Sequence, residues 1–230
     1  MLHFTKKIIH KDNQKLWILL ILTILVAVCS LPFLPDEIPV HFDAYGNADS
    51  FGAKGFIFLA PGFLMFIIIS AEFFRHIDPK KENYSLFQNY YYSFLFFVGI
   101  LLFLLELYTL WHCFIPDKIV NASVFILILL GILFSYIGNA LPKFKHNYFV
   151  GIRTPHTLSN ETVWYMTHRF AGKLWFIGGI FLAFISFLPA PWNMYLFLTF
   201  TVLLAALPFL YALWAYKKVT GEGNKPTKNH

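Results

Sequence analysis

Three stretches of this chain hold side chains that could do chemistry. Pro35–Lys54, PDEIPVHFDAYGNADSFGAK, brings His41, Asp43 and Asp49 close in sequence with His-x-Asp spacing. Such a set could bind a metal ion, but one His with scattered carboxylates is a weak ligand set, since zinc prefers several nitrogen or sulfur donors. A hydrogen-bonded turn is the simpler expectation, and no metal or cofactor is predicted. Asn139–Lys173 places Arg153 before Thr154-Pro155, where a guanidinium could take a lipid phosphate or a carboxylate. The third feature is Glu106, a carboxyl group inside an apolar run. No HExxH, Gly-x-Ser-x-Gly, phosphate loop or pair of membrane carboxylates accompanies them. No catalytic residue is therefore assigned and no enzyme is predicted. A lipid hydrolase built on His41 or His168 is the weaker alternative.

The elements that position these residues follow from composition. Of 230 residues 58% are hydrophobic and only 13% charged, with 28 Phe. A soluble domain carries about 25% charged residues, so half the usual charge excludes a soluble globule and makes lipid one of the solvents. Two Cys exclude a disulfide scaffold. Six apolar runs approach the roughly 20 residues needed to cross the hydrocarbon core: Leu16–Leu34, Gly55–Phe74, Phe94–Ile115, Ile119–Gly138, Ala171–Leu188 and Met194–Tyr216. The first follows a basic stretch but lacks a small-residue cleavage site, so it is read as a retained span. The predicted class is an all-α integral membrane protein of six helices in three hairpins, with a folded outer loop and a long inner loop carrying an interfacial helix.

Orientation follows from Lys and Arg. With the N-terminus inside, 16 of them fall on the inner segments and 2, Lys54 and Lys118, on the outer ones. Cytoplasmic loops collect these residues, so both termini are expected to be cytoplasmic. The outer face holds Asp36, Glu37, Asp43, Asp49 and Asp117 and is net acidic. The expected organisation is a basic N-terminus over 1–15, hairpins over 16–75, 76–138 and 174–216, a motif loop over 139–173, and a tail over 217–230.

Within the outer loop, Ile38, Val40 and Phe42 alternate with Pro39 and His41, and Tyr45-Gly46-Asn47 signals a turn. A compact hairpin-like cap is predicted, with Phe42, Tyr45 and Phe51 for apolar grip. The net acidity of the outer face would attract a cationic partner at low salt. Packing over the helix ends alone is the alternative. In the inner loop Lys143-Phe144-Lys145 suits the headgroup level, Gly151-Ile152-Arg153-Thr154-Pro155 reads as a tight turn, and Ser159 or Asn160 can cap a helix from Glu161. Trp164, His168, Ala171 and Trp175 share one face of that helix, which is expected to bend into the fifth span near Gly172. The face could anchor at the interface, or His168, Arg153 and Arg169 could recognise a ligand or protein.

Glu106 lies near the midplane of the third run, where a carboxylate costs roughly 2.5–3.5 kcal/mol on insertion scales. It should face the bundle, protonated or hydrogen-bonded, with Thr23, Thr199 or Thr201 as partners. Ligand sensing and an ion path are the functional alternatives. Glu72 is expected to form a local ion pair beside Arg75 and His76. Cys29 and Cys113 are expected to be buried free thiols, a disulfide being left open.

Two segments resemble a known family. IPVHFDAYGNADSFGAK is similar to the small front domain of SdpI-like membrane proteins, P-x-H-F/W-x-x-x-G-x-x-D. GNALPKFKHNYFVGIRTPHTLSNETVWYMTHRFAGKLW resembles the SdpI signature, with its GN-x-LPK, N-x-x-x-GIRTP-x-TL and W-x-x-THR-x-x-GK elements. With the spans the resemblance covers most of residues 16–216. It implies a multipass bacterial cell-membrane protein giving immunity to a hydrophobic or cationic toxin peptide, and a cytoplasmic repressor held at the membrane. No direct nucleic-acid contact is implied. A transporter or a membrane transducer without a toxin role is the alternative. The candidate ligand-binding residues are His41, Asp43, Gly46, Asp49 and Glu106. The motif carries over onto Asn139, Pro142, Lys143, Asn147, Gly151, Arg153, Thr154, Pro155, Trp164, His168 and Arg169. His156 departs from the Trp of many relatives.

Overall fold

Apolar runs this long cannot leave backbone N–H and C=O groups to lipid, so they close their hydrogen bonds within helices. The computed structural model describes residues 11–115 and 120–221. The expectations for the basic N-terminus before residue 11, for Asp117 and Lys118, and for the tail beyond Gly221, lie outside them. The order is α1 (Gln14–Ser30), β1 (Glu37–Phe42), β2 (Ala48–Ala53), α2 (Leu59–Ile77), α3 (Tyr84–Phe114), α4 (Ala122–Ala140), α5 (Pro155–Ser159), α6 (Glu161–Ile185) and α7 (Trp192–Thr220). Short 3₁₀ turns lead out of α1 and α4 and into α2 and α3. Six helical stretches are long and apolar enough to cross a membrane, and only 22–33% of each apolar window is buried within the protein. The rest, including Phe66, Ile177, Phe184 and Leu210, points outward. This is a multipass membrane protein whose outer surface matches lipid.

The all-α expectation needs one addition, the antiparallel β1–β2 hairpin, in register from Glu37 opposite Ala53 to Phe42 opposite Ala48. It marks one end of the bundle. The opposite end carries residues 141–160 and the α2–α3 connection.

Two helix boundaries differ from the sequence expectation. Helix α3 begins ten residues before Phe94, because Tyr84, Phe87, Tyr91 and Tyr92 are buried against neighbouring segments rather than left in a loop. Helix α6 runs unbroken from Glu161, so the segment expected to lie at the interface is the first part of the fifth span itself. Gly172, the expected bend, instead packs against Pro142 and the Gly138 carbonyl.

Helix α1 packs on α2 and α3, α3 touches α4, and α4 lies along α6, which in turn packs on α7. Lipid supplies no hydrophobic drive for such contacts, so close backbone approach and interhelical hydrogen bonds must hold them. Between α4 and α6 the approach is made by Gly131, Gly138, Gly172 and Gly179; a Cβ on Gly138 would overlap the Phe176 amide and one on Gly179 the Ser135 amide. Between α6 and α7 the link is polar. Pro208 inside α7 cannot donate to the Leu204 carbonyl, and that oxygen accepts the indole N–H of Trp175 at 2.7 Å.

Candidate functional site

The hairpin is built around Asp43. Its Oδ1 accepts the backbone N–H groups of Tyr45 and Asn47, both at 2.9 Å, and Oδ2 accepts from the Asn47 amide. These bonds, with the Asn47 backbone N–H foremost, hold the Asp43 carboxyl below its ordinary value of 3.8. Gly46 sits at φ +84°, a left-handed turn position, and a Cβ there would overlap the Asn121 side chain. Asn121 donates to the Tyr45 carbonyl at 2.6 Å while capping α4 through the Val124 N–H. The turn is thereby tied to the bundle. Asp43→Ala is expected to raise hydrogen exchange at the Tyr45 and Asn47 amides several-fold, since both lose their carboxylate acceptor. Unchanged exchange would show that the carboxylate does not hold the turn. By linkage, a lowered Asp pKa gives stability present above the unfolded value and lost as pH falls through the folded one. The turn should therefore loosen only below the ordinary carboxyl range.

His41 Nδ1 and Asp49 Oδ1 meet at 2.6 Å across the exposed face of the hairpin. Asp43 is turned away into its turn, so the three residues do not converge as a metal set. Among the described residues no group of three His, Cys, Asp or Glu does. Below the hairpin lies a cavity of about 340 Å³, walled by Val40, Phe42, Phe63, Leu102, Tyr108 and Ile126. Phe42 is seated edge-on against Tyr108 and His112. Glu106 lines this cavity and is buried. The expected threonine partners are not used: Thr23 and Thr199 donate to carbonyls of their own helices, and Thr201 Oγ1 makes no hydrogen bond among the described residues. A β-branched hydroxyl in a helix reaches its own preceding turn more readily than a neighbouring helix.

At the opposite end the motif residues form a buried polar knot. Asn147 Oδ1 accepts from the Phe149 and Val150 amides, and its Nδ2 donates to the Lys145 and Val150 carbonyls. His168 donates from Nδ1 to the Trp164 carbonyl at 2.9 Å, which leaves Nε2 to accept the Ile152 N–H at 3.1 Å. Gly151, at φ +108°, approaches the same ring so closely that a Cβ would overlap Nε2. Thr154 and Thr157 form a reciprocal capping box at the start of α5, with Pro155 as its first residue. Trp164 donates to the Phe144 carbonyl at 3.0 Å and stacks on His168. His156 packs against Tyr216 of α7, so an aromatic contact persists at that position.

The structure thus brings Asn147, Thr154, Trp164 and His168 together in the interior, with Gly151 exposed at its edge, its backbone against the His168 ring. Asn139, Pro142, Arg153, Pro155 and Arg169 are exposed, and Lys143 lies over the ring of Tyr90. His168 cannot serve a recognition surface, because both ring nitrogens are engaged inside. Arg153 donates to the Tyr148 carbonyl at 3.0 Å and braces the loop from outside. Sequence reasoning missed Asp78, which accepts from Lys80 N, Tyr84 OH and Tyr148 N and so docks the loop on the α2–α3 turn; its place before Pro79 was the only local signal. Lys80 Nζ contacts His146 Nδ1 at 2.7 Å. Burial, then the Lys80 charge, pushes the His146 imidazole below its ordinary value, so it remains a neutral acceptor. Glu72 does more than pair locally. It accepts from Asn13 of the chain before α1 at 2.9 Å and from Tyr92 of α3 at 2.7 Å, and lies 3.7 Å from Arg75. Cys29 and Cys113 are free, and Cys29 is exposed rather than buried.

Comparison with known proteins matches both ends. Residues 143–212 match the SdpI/YfhL protein family, and residues 18–65 match a domain of unknown function, DUF1648. The chain is 28% identical over 219 residues to the "Immunity protein SdpI" of Bacillus subtilis (strain 168), covering 92% of this chain and 99% of that protein. No solved structure matches. The first match takes in Asn147 to His168 of the knot, the second most of α1, the hairpin and the start of α2, so at both ends this multipass membrane protein is similar to the SdpI-like proteins.

Proposed function

We propose that this protein is a membrane-embedded immunity protein that protects the cell against a membrane-active peptide arriving at the hairpin end. One observation carries the reading: the hairpin is a built element, fixed by Asp43 and Asn121, that holds an apolar cavity beneath it and presents Tyr45 and Phe51 outward. A mere connector needs neither. The likeness to a protein named for immunity supports the same reading. The 16:2 division of Lys and Arg supports an orientation with the hairpin outside and both termini in the cytoplasm. At the inner end the rigid knot leaves Arg153, Arg169 and Lys173 exposed, a basic surface suited to holding an acidic cytoplasmic repressor.

Reporter fusions at Gly46 and Ser159 should read outside and inside respectively; the same side for both would overturn the orientation. At matched membrane levels, Asp49→Asn should lower survival under peptide challenge several-fold at low ionic strength and less at high salt. Equal survival at every salt concentration would remove the hairpin's charge from recognition.

A further inference from the structure

The cavity beneath the hairpin contains one polar group without a partner. Glu106 is 3% exposed, and neither of its carboxyl oxygens makes a hydrogen bond among the described residues. The other polar side chains of the lining are committed elsewhere. Tyr108 donates to the Val120 carbonyl at 2.8 Å and Thr109 to the Leu105 carbonyl at 3.1 Å. The remaining walls are apolar, with Val40 and Phe42 from the hairpin, Phe63 from α2, Leu102 from α3 and Ile126 from α4. A buried carboxyl without a donor is costly in protein and costlier in a membrane. An apolar hollow with a single convergent polar group is the common form of a small-ligand site.

Glu106 lies eight residues before the end of α3, which at 1.5 Å per residue puts it about 12 Å below that end. A polar group there is reached by a molecule already in the membrane more readily than by one in water. A carboxyl group offers an acceptor, and the donor that satisfies it best is a cation. We infer that the cavity under the hairpin binds a primary ammonium carried on an apolar body, the chemistry of a lysine side chain on an amphipathic segment, with Glu106 as its polar anchor. The peptide source of that ammonium rests on the immunity reading; the binding chemistry does not.

The test uses the purified full chain in detergent and dansylcadaverine, a fluorescent apolar primary amine, as probe. Emission should rise on binding to the unaltered protein. Glu106→Gln should weaken binding by about tenfold or more, the loss of a charge-assisted bond. A dansyl analogue ending in a hydroxyl should bind the unaltered protein no better than the amine binds that variant. Ile126→Trp, which fills the cavity and keeps the carboxyl, should also abolish binding, with helix content and thermal unfolding confirming that both variants fold. Equal amine affinity with and without the Glu106 carboxyl, or no binding to the unaltered protein, would overturn the inference. So would undiminished binding to Ile126→Trp. Glu106-dependent binding in a protein that fails to protect cells would uphold the site and count against the immunity reading alone.

Discussion

Gly138→Leu is expected to remove most of the folded protein from the membrane. The Gly138 position faces the backbone of α6, the Phe176 amide and the Gly172 carbonyl, and no flexible side chain stands there to yield. Four added carbons must push two helices apart. In lipid the separated faces are as apolar as the solvent, so only lost van der Waals contact and broken interhelical hydrogen bonds are at stake. Those include the bond from Ser135 Oγ to the Phe176 carbonyl at 3.1 Å. The cost should reach about 3 kcal/mol or more, at the upper end for overpacking. Gly62 of α2 is the internal control, because a Cβ there meets nothing within 4 Å; Gly62→Ala should be neutral or stabilising by up to about 1 kcal/mol. Thermal unfolding in detergent separates the two, and a Gly138→Leu midpoint equal to that of the unaltered protein would refute the contact.

The second large effect lies in the knot. Gly151→Val combines a left-handed backbone with a direct overlap on His168 Nε2. The ring would have to leave, and the buried Ile152 N–H would lose its acceptor. Strain of about 1–3 kcal/mol adds to a similar penalty for the unpaired amide. His168→Phe keeps the stacking on Trp164 and removes the Ile152 acceptor together with the donor to the Trp164 carbonyl, without the backbone strain, so it should show the hydrogen-bond loss alone. Limited proteolysis within residues 144–157 should become several-fold faster in both variants, more so in Gly151→Val. Equal resistance in all three proteins would mean that the loop is held by its capping box and not by the histidine.

Much of this architecture was legible because lipid imposes a coarse rule. Six apolar runs near span length gave six helices, and Tyr45-Gly46-Asn47 marked the hairpin turn that Asp43 closes. The shared face of Trp164, His168, Ala171 and Trp175 was likewise readable from spacing; Trp164, His168 and Ala171 are fully buried and Trp175 partly so. What stayed hidden depends on tertiary partners. Hydropathy could not say that Tyr84–Tyr92 continue α3, because tyrosine reads equally as interface or core. An exposed interfacial helix and a buried helix start share the same amphipathic signal, so the unbroken α6 was out of reach. Glu106 was found by its depth alone, but its surroundings depend on how β1 folds over α3, and no spacing rule encodes that. The glycines of α4 and α6 were present at seven-residue intervals, Gly131 with Gly138 and Gly172 with Gly179, a pattern of close helix approach that was not read.

The central claim is that the protein defends its own cell. It is tested most directly by growing parent cells together with cells lacking this chain and following survival and membrane potential of the latter. The deleted cells should depolarise and die in contact with the parent, and restoring the chain should rescue them. Equal survival of deleted and restored cells beside a peptide-secreting parent would contradict it.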